Sequence, residues 1–149
     1  MRHPILTLVL VLGLCGSSLA ATEDPLPAPV VTGLQALQDG RCKDAIQLWT
    51  SQWPGEGDDI KRQQMLSSCD VLARVGGTLN GYDLVKSTHV TPHLIHAYFL
   101  LRYEKQSLYL AISAYAPTDG QWRVEGVNWN TDADKVFPSS VVEPFRPPQ

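Results

Sequence analysis

Three histidines, His89, His93 and His96, stand four and three residues apart. On a helix that spacing would bring their imidazoles to one face, where they could hold a metal ion. Pro92 falls among them and forbids a continuous helix. On a strand, His93 and His96 point to opposite faces, and no supporting carboxylate is evident. The expectation is therefore surface histidines, no metal and no cofactor. Acid–base chemistry needs a group within about 3 Å of the proton it moves. His93, Tyr103 and Asp83 come nearest to a set, while Asp83 and Glu104 sit at strand ends, where solvation accounts for them. No dinucleotide fingerprint, P-loop or nucleophile elbow occurs. No catalytic residue is expected.

The cysteines are Cys15, Cys42 and Cys69. Cys15 belongs to an N-terminal segment with a polar start (Arg2, His3), an apolar run from Ile5 to Leu14, and Ser18-Leu19-Ala20 before Ala21. This is the pattern of a secretory signal peptide over residues 1–20, and it predicts a periplasmic or secreted protein. The run is too short to span a bilayer core of about 30 Å. A lipobox reading of Cys15 meets Leu14 where a small residue belongs. After cleavage only Cys42 and Cys69 remain, and an oxidising compartment favours their pairing over two free buried thiols. The spacing is not C-x-x-C, so the pair reads as structural rather than redox-active.

The elements that must carry these residues follow in order. A length of 149 residues predicts one domain. The net charge is −3, with no basic cluster, so nucleic acid is not an expected partner. No segment after the signal is apolar enough to cross a membrane. Pro25, Pro27 and Pro29 make residues 21–29 a Pro-rich leader. The domain proper is expected over 30–137. Val31, Leu34 and Leu37 predict a helix over 30–38, with Gly40 as its cap. Cys42, Ile46, Trp49 and Trp53 form the stripe of a second helix, in which the tryptophans read as core. A third, from Asp59 to about Val75, carries Met65, Cys69, Leu72 and Val75 on one face, with Gly57-Asp58-Asp59 at its N-cap and Gly76-Gly77 as its stop. Residues 81–90 read as a first strand, and 93–104, 107–117 and 121–130 as three more. The Pro-rich tail runs over 138–149, after a segment packed locally through Val136 and Phe137.

The three later strands can be set in register. A turn at Lys105-Gln106 pairs Tyr103 with Leu108, Leu101 with Leu110 and Phe99 with Ile112. A three-residue loop, Thr118-Asp119-Gly120, pairs Ala114 with Val124 and Tyr115 with Arg123. One face is then apolar (Ile95, Ala97, Phe99, Leu101, Leu110, Ile112) and must be covered by the helices. The other is polar with aromatics interleaved: His96, Tyr98, Arg102, Tyr109, Tyr115, Arg123, Glu125, Val127 and Trp129. A bulge near Gly126 would reverse the last two.

Helices followed by a bent antiparallel sheet of about four strands give an α+β fold. Gly81-Tyr82-x-Leu84-Val85, Tyr98-x-Leu100-x-x-Tyr103-Glu104, Ala114-Tyr115-x-Pro117 and the run Trp122-x-Val124-x-x-Val127-x-Trp129 with Thr131, Ala133 and Asp134 resemble small secreted bacterial proteins of the NTF2-like (SnoaL-like, cystatin-like α+β cone) superfamily. The resemblance implies a curved sheet wrapped around helices, a pocket inside the cone, and often a homodimer through the outer face. The pocket walls would be Phe99, Leu101, Tyr103 and Trp122. It does not fix a function, since the fold hosts enzymes and non-enzymes alike. The expected role is that of an exported, non-enzymatic protein. It would bind a small molecule in the cone, or an exported protein partner through Tyr98, Arg102, Tyr109, Tyr115, Arg123 and Trp129. The alternative is an isomerase or dehydratase of that superfamily.

Overall fold

The computed structural model describes residues 25–141 except 54 and 119. The expected signal peptide, the start of the leader and the end of the tail lie outside the described residues. Three helices come first: α1 (Ala28–Gln38), α2 (Cys42–Thr50) and α3 (Glu56–Gly76). Four strands follow, β1 (Leu79–Thr91), β2 (Leu94–Tyr103), β3 (Ser107–Tyr115) and β4 (Arg123–Asn130), in an antiparallel sheet of order β1-β2-β3-β4. The architecture is α+β, with the helices packed on one face of a curved sheet.

Helix α1 starts two residues before Val30, because Pro27 and Pro29 fit a first turn, where a missing N–H costs nothing. Its buried side is Val30, Gly33, Leu34, Ala36 and Leu37; Val31, expected inside, is exposed. The helix closes on Gly40 at φ 76°. Gly40 N–H donates to Leu37 O at 3.0 Å and Arg41 N–H to Ala36 O at 2.8 Å, the paired bonds of a Schellman cap. The chain turns at once into α2. Gly33 lets the Trp49 indole lie against the α1 backbone, with Nε1 donating to Pro29 O at 3.1 Å.

Helix α2 ends at Thr50, short of Trp53. Trp53 is nevertheless buried, and its Nε1 donates to Val124 O at 2.9 Å, fixing the loop to β4. Arg62 of α3 donates to Thr50 O at 3.0 Å and to Thr50 Oγ1 at 3.1 Å, which satisfies a carbonyl at the C-terminus of α2. Helix α3 starts at Glu56 behind Gly55, so Asp58 and Asp59 lie in its first turn rather than at the cap. Met65, Cys69 and Leu72 face inward, whereas Val75, placed with them by spacing, is 52% exposed. The Cys42 and Cys69 sulfurs are bonded at 2.07 Å, joining α2 to α3.

In the sheet, β2 and β3 pair Leu101 with Leu108, Phe99 with Leu110 and Ala97 with Ile112. The register differs by two residues from that expected, since Tyr103 N–H donates to Gln106 O at 3.1 Å and the turn falls on Glu104-Lys105. A two-residue shift leaves every side chain on its expected face. Strands β3 and β4 pair Ala114 with Val124 and Tyr115 with Arg123, as expected. A bulge then intervenes, and Ser113 meets Gly126, Ile112 meets Val127 and Leu110 meets Trp129. The bulge corrects two face assignments. Val127 is buried in the core, and Trp129 packs against it from the inner side rather than standing on the outer face. Strand β1 carries register breaks at Asn80, Val85 and Val90.

The core lies between the sheet's inner face and α1 and α2. Val30, Leu34, Ile46, Trp49, Ile95, Phe99, Leu101, Leu110 and Ile112 are each at most 1% exposed. The helix α3 packs chiefly on α2, and its C-terminal half stands at the rim of the sheet.

Candidate functional site

The outer face of the sheet is not open. After β4 the chain passes through a 3₁₀ turn at Ala133–Lys135, opened by Asp132, whose side chain accepts from Asp134 N–H. It then returns across the sheet. Phe137 is 6% exposed, with its ring edge-on to Tyr98 at 5.7 Å and to Tyr109 at 5.3 Å between centroids. Asn128 Nδ2 donates to Lys135 O at 3.2 Å, and Lys86 Nζ to Ser140 O at 3.2 Å. Residues 131–141 therefore form a strap, and two of the aromatics offered to a partner already hold one of the chain's own. Arg102 lies beyond the strap, in an ion pair with Asp83 at 3.0 Å. Tyr115 is exposed at the far end of β3, beside its register partner Arg123.

The residues nearest to an acid–base set are not brought together. Asp83 pairs with Arg102 on the outer face. His93 is exposed in the turn between β1 and β2, and Tyr103 ends β2 at the opposite end of the sheet. Of the three histidines, His89 meets the Trp122 ring at 6.4 Å, and His96 lies opposite Thr88 on the outer face. Among the described residues no group of three or more His, Cys, Asp or Glu could hold a metal ion.

The expected pocket residues separate as well. Phe99 and Leu101 are wholly buried and pack as core. Trp122 faces an open hollow with Pro25, His89 and Pro92. Of the four, Tyr103 stands in the wall of a half-open cleft. That cleft, about 360 Å³, opens between the end of α1, the middle of α3 and the start of β1. Leu37, Leu72, Leu79 and the Cys42–Cys69 bridge form its apolar walls, with Gln38, Asp39 and Thr78 at its polar edge.

The local sequence explains its geometry. Gly76 lets the Tyr103 ring lie against the end of α3, where a Cβ would stand 3.2 Å from the ring. Gly77, at φ 76°, turns the chain into β1. Glu104 N–H donates to Thr78 O at 2.8 Å and Lys105 N–H to Gly76 O at 2.9 Å, so the β2–β3 turn is docked on the α3–β1 link. Tyr103 is half-buried, and loss of hydration pushes its phenol up to about 12. It is thus a neutral hydrogen-bonding group at any ordinary pH. At the rim, the Arg41 guanidinium hydrogen-bonds Asp39 at 2.9 Å and, with Gln35, holds its carboxyl below the usual range.

A second, smaller groove of about 210 Å³ lies on the other flank of α3, between Val71, Leu72 and Val75 above and Gln106, Leu108 and Trp129 below. Spacing alone could not place it, because the bulge that turns Trp129 inward is what builds its floor. Comparison with protein-family models, with curated proteins and with solved structures finds no match to this chain.

Proposed function

We propose that this is an exported, non-catalytic binding protein that holds a small ligand in the cleft at Tyr103. The observation that supports this reading is the cleft itself. Its volume falls in the range typical of small-molecule sites, roughly 300–1,000 Å³, its walls are mainly apolar, and a few polar groups sit on one edge. The likeness to NTF2-like proteins, with a pocket between helices and sheet, belongs to the same proposal. So does export, which would supply the oxidising compartment that a Cys42–Cys69 bridge needs. The alternative, a partner or homodimer seated on the outer face, must contend with the strap that already fills the place between Tyr98 and Tyr109. The isomerase or dehydratase alternative would have to work with Tyr103 and Asp39 in the cleft; a phenol near 12 is a poor acid or base at neutral pH, and the Asp39 carboxylate is already engaged by Arg41 and Gln35.

Native mass spectrometry of the protein recovered from an exporting host is the direct test. A monomer with added mass, lost when Ala73→Trp fills the cleft, is the expected result. A dimer without added mass would sink the cleft reading and move the function to the outer face.

A further inference from the structure

The cleft at Tyr103 and the groove at Trp129 share one wall residue, Leu72. Along α3 the roof runs from Cys69 and Ala73 on one flank, past Leu72, to Val71 and Val75 on the other. The floor beneath is continuous too. It passes from Tyr103 on β2 to Gln106, whose carbonyl accepts from the Tyr103 N–H, and on to Leu108 on β3. The two spaces thus lie on either side of the Leu72 side chain, under the last turns of α3. The roof can give. Helix α3 rests chiefly on α2, and Val71 and Val75 are about half exposed.

The two sides differ in chemistry. The Tyr103 side ends in hydrogen-bonding groups: the phenol, Thr78 and Gln38. The Trp129 side is lined by Val71, Leu72, Val75, Leu108 and the indole, with Ser68, Gln106 and Thr131 at its border. Asp39 is a carboxylate at the polar end, and its neighbour Arg41 is committed to Asp39 and Asp44. A carboxylate or phosphate arriving there would meet repulsion with no free cation from Arg41 to offset it.

We infer that the two spaces join into one trough when the Leu72 side chain swings aside, and that this trough takes a single-chain amphiphile with an uncharged, hydrogen-bonding head at Tyr103 and an alkyl tail that ends against Trp129. This rests on the proposed function and names the ligand class for the same site. An apolar tail under α3 gains its affinity from the area it removes from water, and an unbranched chain is the shape that fits a long, narrow trough with one polar end.

The experiment uses the full chain and four probes: hexanol, lauryl alcohol, lauric acid and lauryl alcohol brominated at its far end. Bromine quenches an indole it touches. The expected result is quenching by the brominated alcohol that disappears in Trp129→Phe. Lauryl alcohol should bind wild type more tightly than lauric acid does. Val75→Phe, which narrows the Trp129 half alone, should weaken lauryl alcohol about tenfold, equivalent to losing roughly two buried methylenes, and leave hexanol unchanged. Wild-type quenching needs no variant to fold, and Val75 is about half exposed, so its substitution leaves the core intact. If both alcohols bind but the brominated one quenches equally with Trp129→Phe, the trough is wrong while the Tyr103 cleft stands. If lauric acid binds as well as the alcohol, the uncharged head is wrong. If no probe binds although the native protein carries an added mass, the ligand class is wrong and the cleft reading survives.

Discussion

Replacing Gly33 with alanine sets two physical effects against each other. In an ordinary helix interior Ala is favoured over Gly by about 0.8–1.0 kcal/mol, so Gly33→Ala on α1 would be a stabilising change. The surroundings reverse that expectation. A Cβ on residue 33 would overlap Nε1 and Cε2 of Trp49 and stand 2.8 Å from its Cδ1. The indole is 1% exposed and has no room to withdraw. Overpacking costs about 1–3 kcal/mol. Moving the ring also breaks the Nε1 bond to Pro29 O, and a buried donor left without a partner costs about 1–3 kcal/mol more. After the helix gain is subtracted, the net loss is about 3 kcal/mol, a large part of the usual 5–15 kcal/mol. Urea unfolding followed by tryptophan fluorescence measures it. Trp49→Phe removes the atoms that collide, so the same Gly33→Ala change in that background should cost little, with a coupling of about 2–3 kcal/mol. If Gly33→Ala is as stable as wild type, or costs the same in both backgrounds, the close approach of α1 and α2 is not what this position requires.

Three further outcomes follow from other parts of the molecule. Cys42→Ser with Cys69→Ser opens a 27-residue loop, for which the chain-entropy relation gives about 3.5 kcal/mol. Amide exchange should rise first in α3, and uniform exchange with a loss under about 1 kcal/mol would show that the bridge does not secure that helix. Phe137→Ala should cost about 2–3 kcal/mol, below a full core truncation because the strap can relax. Limited proteolysis should then cut within 131–141 while β2 and β3 stay intact, and an unchanged cleavage pattern would contradict the strap. One of the five tyrosines should ionise near 12 by its phenolate absorbance and disappear in Tyr103→Phe. Its folded value lies above its unfolded one, so its contribution to stability is complete below about 10 and is lost as pH rises through about 12. Alkaline unfolding that is identical in Tyr103→Phe would refute that linkage.

The fold was readable in the sequence where periodicity alone decides. Alternation fixed the inner and outer faces of β2 and β3, and they survived a turn that falls one residue earlier than expected because the register moved by two. The cysteine count, with the expectation of export, sufficed for the Cys42–Cys69 pair. Elsewhere the deciding facts are tertiary. Val31 and Val75 have the spacing of core residues, but the first turn of α1 is set by Pro27 and Pro29, and the end of α3 stands off the sheet at the groove. Alternation alone could not fix Val127 and Trp129, because a single extra residue in β4 reverses both. The candidate site was legible only at Tyr103. Phe99 and Leu101 have the right face for a pocket but lie where α1 and α2 fill the space. Phe137 was recognisable as a residue that packs, yet nothing local shows that its seat is between Tyr98 and Tyr109.

The interruptions in β1 bear on how this protein behaves when concentrated. An edge strand offers unpaired amides and carbonyls to any passing chain, and β1 is thirteen residues long. Breaks at Asn80, Val85 and Val90 divide it into short runs, each re-aimed by its bulge. A second molecule trying to extend the sheet there would lose alignment every few residues and could not lay down a continuous ladder. Fibre growth by stacking along this edge is thereby frustrated in the strand's own geometry, to which Asp83 and Lys86 add charge on the strand itself.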